Sequence, residues 1–233
     1  MKPAPHRTAL LPLAALTALL TMAAAPAGQA WMNFVFKPLT TLLIIAWAWP
    51  RGAADGPRRG WLRAGLWLSL AGDVALLWPQ QGFLPGLVAF LLAHLAYIVA
   101  FTRGLRLAAR PAPFVAYALV AGGLLWRLWP GVPGPLQAPV LAYVAALACM
   151  AAQAAAAWLA ARGGAAEAWA RRAALGGVLF MASDATLAFN RFSSPVPAAG
   201  FWILATYWLA QAAIAGSLRP APGSTGDEGD TGR

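Results

Sequence analysis

The sequence predicts an all-α fold: a polytopic membrane bundle of eight transmembrane helices with both termini in the cytoplasm. Three observations predict it. The 233 residues are 61% hydrophobic and only 10% charged, whereas a soluble globular domain carries about 25% charged residues. The apolar residues fall into eight runs of about 17 to 24 residues, each long enough to cross a bilayer core as a helix. The basic residues gather in every second break between the runs, as the positive-inside rule requires. Alternating segments of about ten residues, the mark of a membrane barrel, do not occur.

The runs follow in order. Residues 1–30 start with Lys2 and Arg7, continue apolar from Ala9 to Ala25 and end A-P-A-G-Q-A. A secretory signal peptide and an uncleaved first span over 9–25 both fit this pattern; the topology closes with the span. The second run, 31–49, holds Asn33 and the pair Lys37-Pro38 in its first two turns, and the third, 61–78, carries Asp73. The fourth, 82–101, carries His94 and Tyr97, and the fifth and sixth cover 113–129 and 138–161. The seventh, 173–189, carries Asp184, and the eighth covers 200–218. Pro79 to Gly82 and Pro130 to Pro135 read as tight connections. Residues 1–219 thus form one domain. Residues 220–233, rich in Gly, Pro, Ser and acid, read as a disordered cytoplasmic tail.

Every lysine and arginine except Lys37, Arg127 and Arg191 lies in or directly beside the N-terminus, the 2–3, 4–5 or 6–7 break, or the tail. This places the chain as a multi-pass protein of the cell membrane, the bacterial inner membrane by the character of its loops. The net charge of +10 sits in short loops with no basic stripe interleaved with aromatics, so nucleic acid is not the expected partner. The lone Cys149 excludes an internal disulfide framework and reads as a packing residue. Two parallel halves, spans 1–4 and 5–8, are suggested by G-D-V-A-L-L against S-D-A-T-L-A, a match short enough to arise by chance.

The polar residues inside the spans are the exceptions to explain. A charge at mid-membrane costs roughly 2.5 to 3.5 kcal/mol on insertion scales. Asp73 and Asp184 each stand five residues before the expected end of their run, about 7 to 8 Å deep, and Lys37 lies about 9 Å deep on the antiparallel second run. The expectation is a cluster of Lys37, Asp73 and Asp184 in the outer half of the bundle. Asp184 shares a helix face with Gly177, Met181, Ala188 and Arg191, and His94 shares one with Phe90, Tyr97 and Phe101. Each residue also has a structural reading. The acids could be ion-pair partners of Lys37, Lys37 could reach the interface alone, His94 could be a packing residue, and Tyr97, Tyr207 and Gln211 could be interhelical hydrogen-bond formers.

Some chemistries are excluded. A zinc site takes three or four His, Cys or acidic ligands; the spans offer His94, Cys149, Asp73 and Asp184, far apart in sequence. No phosphate-binding glycine loop and no G-x-S-x-G elbow occurs. Ser183 precedes Asp184, but adjacent helical residues do not face each other. Two carboxyl groups in one apolar site tend to share a proton, leaving one acid and one base. Such a pair can protonate a substrate and activate water, and Lys37 would fix which aspartate is charged.

The blocks F-K-P-L-T-T-L-L, G-D-V-A-L-L, G-L-V-A-F-L-L-A-H-L-A-Y-I, G-G-V-L-F-M-A-S-D-A-T-L-A-F-N-R-F and Y-W-L-A-Q-A-A-I-A-G-S span runs two to eight. Together they resemble the YhhN-like lysoplasmalogenase family. The resemblance implies an eight-span hydrolase that cleaves the vinyl ether bond of lysoplasmalogens to a fatty aldehyde and a glycerophospho-alcohol. Its substrate would be a lysophospholipid drawn from membrane lipids, and no metal or organic cofactor is needed. On this reading Asp73 and Asp184 supply acid and base in unassigned order. Lys37 and Arg191 meet the phosphate or set the aspartate charges, and His94, Tyr97, Asn190 and Tyr207 line the pocket. A small lipid or solute carrier using intramembrane Asp and Lys and a non-catalytic scaffold are the alternatives.

Overall fold

The structure, a computed structural model, describes residues 9–24, 28, 29 and 31–220. The expected cleavage region around Pro26 and, apart from Pro220, the expected tail over 220–233 lie outside the described residues. The described chain is all-helical. It comprises α1 (Leu10–Ala24), α2 (Trp31–Ala48), α3 (Pro57–Ala75), α4 (Phe83–Thr102), α5 (Pro111–Leu128), α6 (Gly134–Ala161), α7 (Glu167–Phe192) and α8 (Ala199–Ala215), with short 3-10 turns at Ala53–Asp55 and Trp129–Gly131.

The eight helices follow the eight apolar runs, but several ends differ from expectation. Helix α3 begins at Pro57, whose missing N–H suits a first turn, and stops at Ala75 rather than 78 because Leu76 to Gln81 folds into turns. Helix α6 begins at Gly134 rather than 138. Helix α7 extends at both ends, from Glu167 through Arg171 and Arg172 and on to Phe192. Arginine is a good helix former, so charge alone does not end a helix. Helices α2, α4, α5 with its following turn, α6 and α7 are long and apolar enough to cross a membrane. Helices α1 and α8 are apolar but shorter, and the first turns of α3 hold Arg58, Arg59 and Arg63.

Packing brings the third and fourth helices of each half together: α3 lies along α4, and α7 along α8. Helix α1 lies on α2 and α5 on α6, while α4 against α6 and α2 against α8 join the halves. Helix α5 buries only Pro113, Ala121 and Leu128 and turns Val115, Leu119, Val120 and Trp126 outward. The α3–α4 contact is close because α3 offers bare backbone. A Cβ on Gly72 would stand 2.5 Å from the Phe90 ring, and one on Gly65 2.2 Å from Tyr97. Small residues at such seams let helices approach, and here they seat two rings, of which Phe90 borders the cavity and Tyr97 lies behind it.

The basic end is tied down. Arg51, Arg63 and Arg172 lie over the rings of Trp47, Trp49 and Trp169. Arg58 donates to the Ser217 carbonyl and hydroxyl, and Arg219 pairs with Asp55. These contacts fasten the end of α8 to the α2–α3 connection. A cavity lies toward the other end.

Candidate functional site

A cavity of about 320 Å³ lies where α3, α5 and α7 finish. Its walls are mostly aliphatic and aromatic, from α4, α5, α6 and α8, and its polar groups include Lys37, Asp73, Tyr143, Asp184, Asn190, Arg191 and Tyr207. Lys37, Asp73 and Asp184, expected together, therefore border one space. Contrary to expectation, the two aspartates do not stand at matched distances from their helix ends. Asp73 is two residues from the end of α3 and Asp184 eight from the end of α7, about 3 and 12 Å by the helical rise. They meet one cavity because α7 runs on past the level at which α3 stops.

Asp73 is 1% exposed and sits in the last turn of α3, where a carboxylate faces the negative end of the helix dipole. Neighbouring helices compensate. Thr41 Oγ1 donates to Asp73 Oδ2 at 2.6 Å and the Tyr207 hydroxyl donates to the same oxygen at 2.8 Å. Lys37 Nζ stands 3.9 Å from Oδ1. Lys37 and Thr41 are four apart on α2 and so share a face. Behind Thr41, Trp208 Nε1 donates to its hydroxyl at 3.2 Å. Behind Tyr207, Gln211 Nε2 donates to the phenolic oxygen at 3.1 Å, while Gln211 Oε1 accepts from Tyr97 at 2.8 Å.

Asp184 has a different shell. The Tyr143 hydroxyl donates to its Oδ2 at 2.5 Å, His94 Nε2 lies 3.1 Å from that hydroxyl, and the same nitrogen is 3.8 Å from the carboxylate. The expected three-residue cluster is therefore two arrangements on one cavity, with Lys37 beside Asp73 and His94 beside Asp184. Phe180 stands edge-on between them, its centroid 4.7 Å from His94 and 5.5 Å from Tyr207.

The two arrangements correspond if the halves are exchanged. Asp73 on α3 is served from α2 and α8, and Asp184 on α7 from α6 and α4. His94 and Tyr207 occupy matching places. They are separated by nearly the same number of positions as the two aspartates.

The other expected residues fall into two groups. Arg191 and Asn190 are exposed at the cavity edge. Arg191 lies 3.8 Å over the Phe83 ring, and Asn190 Oδ1 accepts the Val196 N–H at 3.0 Å, closing the turn after α7. His94 and Tyr97, expected along the wall, are completely buried behind it. Tyr97, Tyr207 and Gln211 form interhelical hydrogen bonds, as their structural reading required, and Tyr207 also borders the cavity. Ser183 donates to the Ile203 carbonyl, which holds α7 to α8.

Sequence reading missed Tyr143 and Thr41. A usable indication existed for each: Tyr143 is one of only four tyrosines and stands in an otherwise alanine-rich span, and Thr41 is one turn after Lys37. No pattern in the sequence pairs either with an aspartate on another helix.

The chain is similar in sequence to several known proteins. Over 199 residues the chain is 34% identical to the pig protein "Lysoplasmalogenase TMEM86B", covering 82% of this chain and 77% of that one. It is 38% identical over 158 residues to the human "Lysoplasmalogenase TMEM86A", covering 65% and 62%. It is 36% identical over 172 residues to the Mycobacterium bovis "Lysoplasmalogenase", covering 71% and 62%. No solved structure matches it. The sequence pattern of the YhhN family matches residues 32–218, which include both aspartates and every partner named for them, and the chain belongs to the YhhN family.

Proposed function

We propose that this chain is a membrane hydrolase that cleaves the vinyl ether bond of a lysoplasmalogen, or a related lysolipid ether, to a fatty aldehyde and a glycerophospho-alcohol. The observation that carries the reading is the placement of two aspartates on one largely apolar cavity. The names of the three relatives support the same substrate class.

The reaction suits the groups present. One protonated carboxyl group adds its proton to the alkene carbon farther from the ether oxygen. The resulting oxocarbenium ion is stabilised by the remaining carboxylate. Water adds to the carbon bearing oxygen as that carboxylate takes its proton. The hemiacetal then collapses: the second carboxyl group protonates the departing ether oxygen, the first takes the hydroxyl proton, and both return to their starting states. The alkenyl chain lies among the aliphatic residues of α5 and α6, and Arg191 at the edge meets the phosphate. Lys37 acts on the charge of Asp73.

Residues 1–219 form one eight-span domain of a cell membrane with both termini, and the tail over 220–233, on the cytoplasmic side. The cavity then faces the outer half of the bilayer. The test is aldehyde release by the purified chain in detergent from 1-alkenyl lysophospholipids of several head groups. Release that requires both aspartates supports the reading. No release from any of them, with counterflow of intact lysolipid in proteoliposomes, favours a carrier and sinks it.

A further inference from the structure

We propose that the two carboxylates have fixed and different roles: Asp184 delivers the proton to the alkene carbon, and Asp73 is the anion that faces the cation and takes the proton of water. The assignment rests on the ether-hydrolase reading and deepens it.

The direction of the hydrogen bonds separates the two. A hydroxyl has one proton to give. Thr41 already accepts the indole N–H of Trp208, which can only donate, and Tyr207 accepts the amide N–H of Gln211. The amide is held in that orientation because its oxygen accepts from Tyr97. Both hydroxyls are thus left with their protons aimed at Asp73 Oδ2. With Lys37 on the Oδ1 side, every group on Asp73 is a donor and one is a cation. Two hydroxyl donors on Oδ2 and a cation beside Oδ1 favour the carboxylate over the acid.

Asp184 receives less. Its contacts among the described residues all go to Oδ2, from Tyr143 and, at longer range, His94. Oδ1 is left to the cavity and is the oxygen that carries the proton. As that proton moves to carbon, charge develops on the carboxylate and the Tyr143 hydrogen bond strengthens. His94 orients Tyr143. Its Nδ1 has no hydrogen-bond partner among the described residues and the ring is fully buried. A bare lone pair there is less costly than an orphan N–H, so the proton belongs on Nε2, donating to the Tyr143 oxygen. Tyr143 and His94 are positioning residues for Asp184, as Tyr207 and Gln211 are for Asp73.

The experiment uses the full-length chain in detergent with a 1-alkenyl lysophospholipid in D₂O. The recovered substrate is examined for deuterium at the vinyl carbon farther from oxygen. Asp73→Asn retains the proton donor and lacks the base, so it adds a proton reversibly and labels unreacted substrate. Asp184→Asn leaves the substrate unlabelled. Label with Asp184→Asn, or none with Asp73→Asn, overturns the assignment, provided the unmutated chain releases aldehyde; if it releases none, the hydrolase reading itself has failed. Tyr143→Phe supplies a second measurement that does not alter an aspartate. It lowers kcat about tenfold to a hundredfold, the scale of lost positioning, with KM unchanged within about twofold, and raises the solvent deuterium isotope effect on kcat. His94→Gln, which keeps an N–H donor, retains most activity, and His94→Leu behaves like Tyr143→Phe. An unchanged isotope effect in Tyr143→Phe, or equal loss in both His94 variants, overturns the positioning roles.

Discussion

Tyr207 on α8 donates its hydroxyl proton to Asp73 on α3 at 2.8 Å while accepting an N–H from Gln211. One phenol thus joins the cavity to a buried amide. Tyr207→Phe removes the link and leaves the Gln211 N–H without its acceptor. The expected cost is about 1 to 3 kcal/mol for the unsatisfied buried group. It is read as a lower unfolding midpoint in detergent, together with a fall in aldehyde release. An unchanged midpoint would show that the network is not coupled to folding.

On the proposed reading, the far wall of the cavity limits the length of the alkenyl chain. Ala121 on α5 borders both the main cavity and a shallow groove between α5 and α6. Ala121→Phe fills that junction. The variant is expected to keep activity on short alkenyl chains and lose it on long ones. A uniform change across a chain-length series would place the hydrocarbon elsewhere.

Arg191 is exposed and stacked on Phe83 at the cavity edge. It contacts neither aspartate shell, so Arg191→Ala is expected to weaken binding without touching the chemistry. Steady-state kinetics would show KM raised about tenfold with kcat within about twofold, the signature of lost uniform binding. A drop in kcat alone would argue against phosphate contact.

The α3–α4 seam depends on the absence of a side chain at Gly72. A Cβ there would stand 2.5 Å from the Phe90 ring, and that ring packs edge-on against Tyr207 and Phe180. Gly72→Ala is expected to destabilise by about 1 to 3 kcal/mol through overpacking, measured as a thermal shift. Combined with Phe90→Ala, the loss should be smaller than the sum of the two single losses, because the ring that the new methyl meets is gone.

The proposed eight-span topology predicts that reporters fused after residue 80 and after residue 195 both read outside, and that one fused after residue 165 reads inside. A reporter at 195 found in the cytoplasm would reverse the leaflet the cavity faces.

Much was legible in the sequence because lipid makes hydrophobicity a sharp signal. Eight apolar runs became eight helices, and Asp73 and Asp184 stood out because a charge in such a run needs a reason. The helix ends were less legible. Helix α7 runs through Arg171 and Arg172, which raise no local barrier to helix, and α3 stops early on a turn sequence that looked like its final residues. Depth counted from the ends therefore misjudged the aspartates while still bringing them to one place.

The sequence by itself determined the class of protein, the order of its helices and the two acidic residues that border its cavity, since composition and spacing act locally and are written in one dimension. Only the tertiary structure decided which neighbour each aspartate has. Lys37, Thr41 and Tyr207 went to Asp73, and Tyr143 and His94 to Asp184, because rotation about each helix axis is fixed by packing. Glycines seat rings and an N–H turns each hydroxyl, and both are contacts between distant segments that no local pattern records.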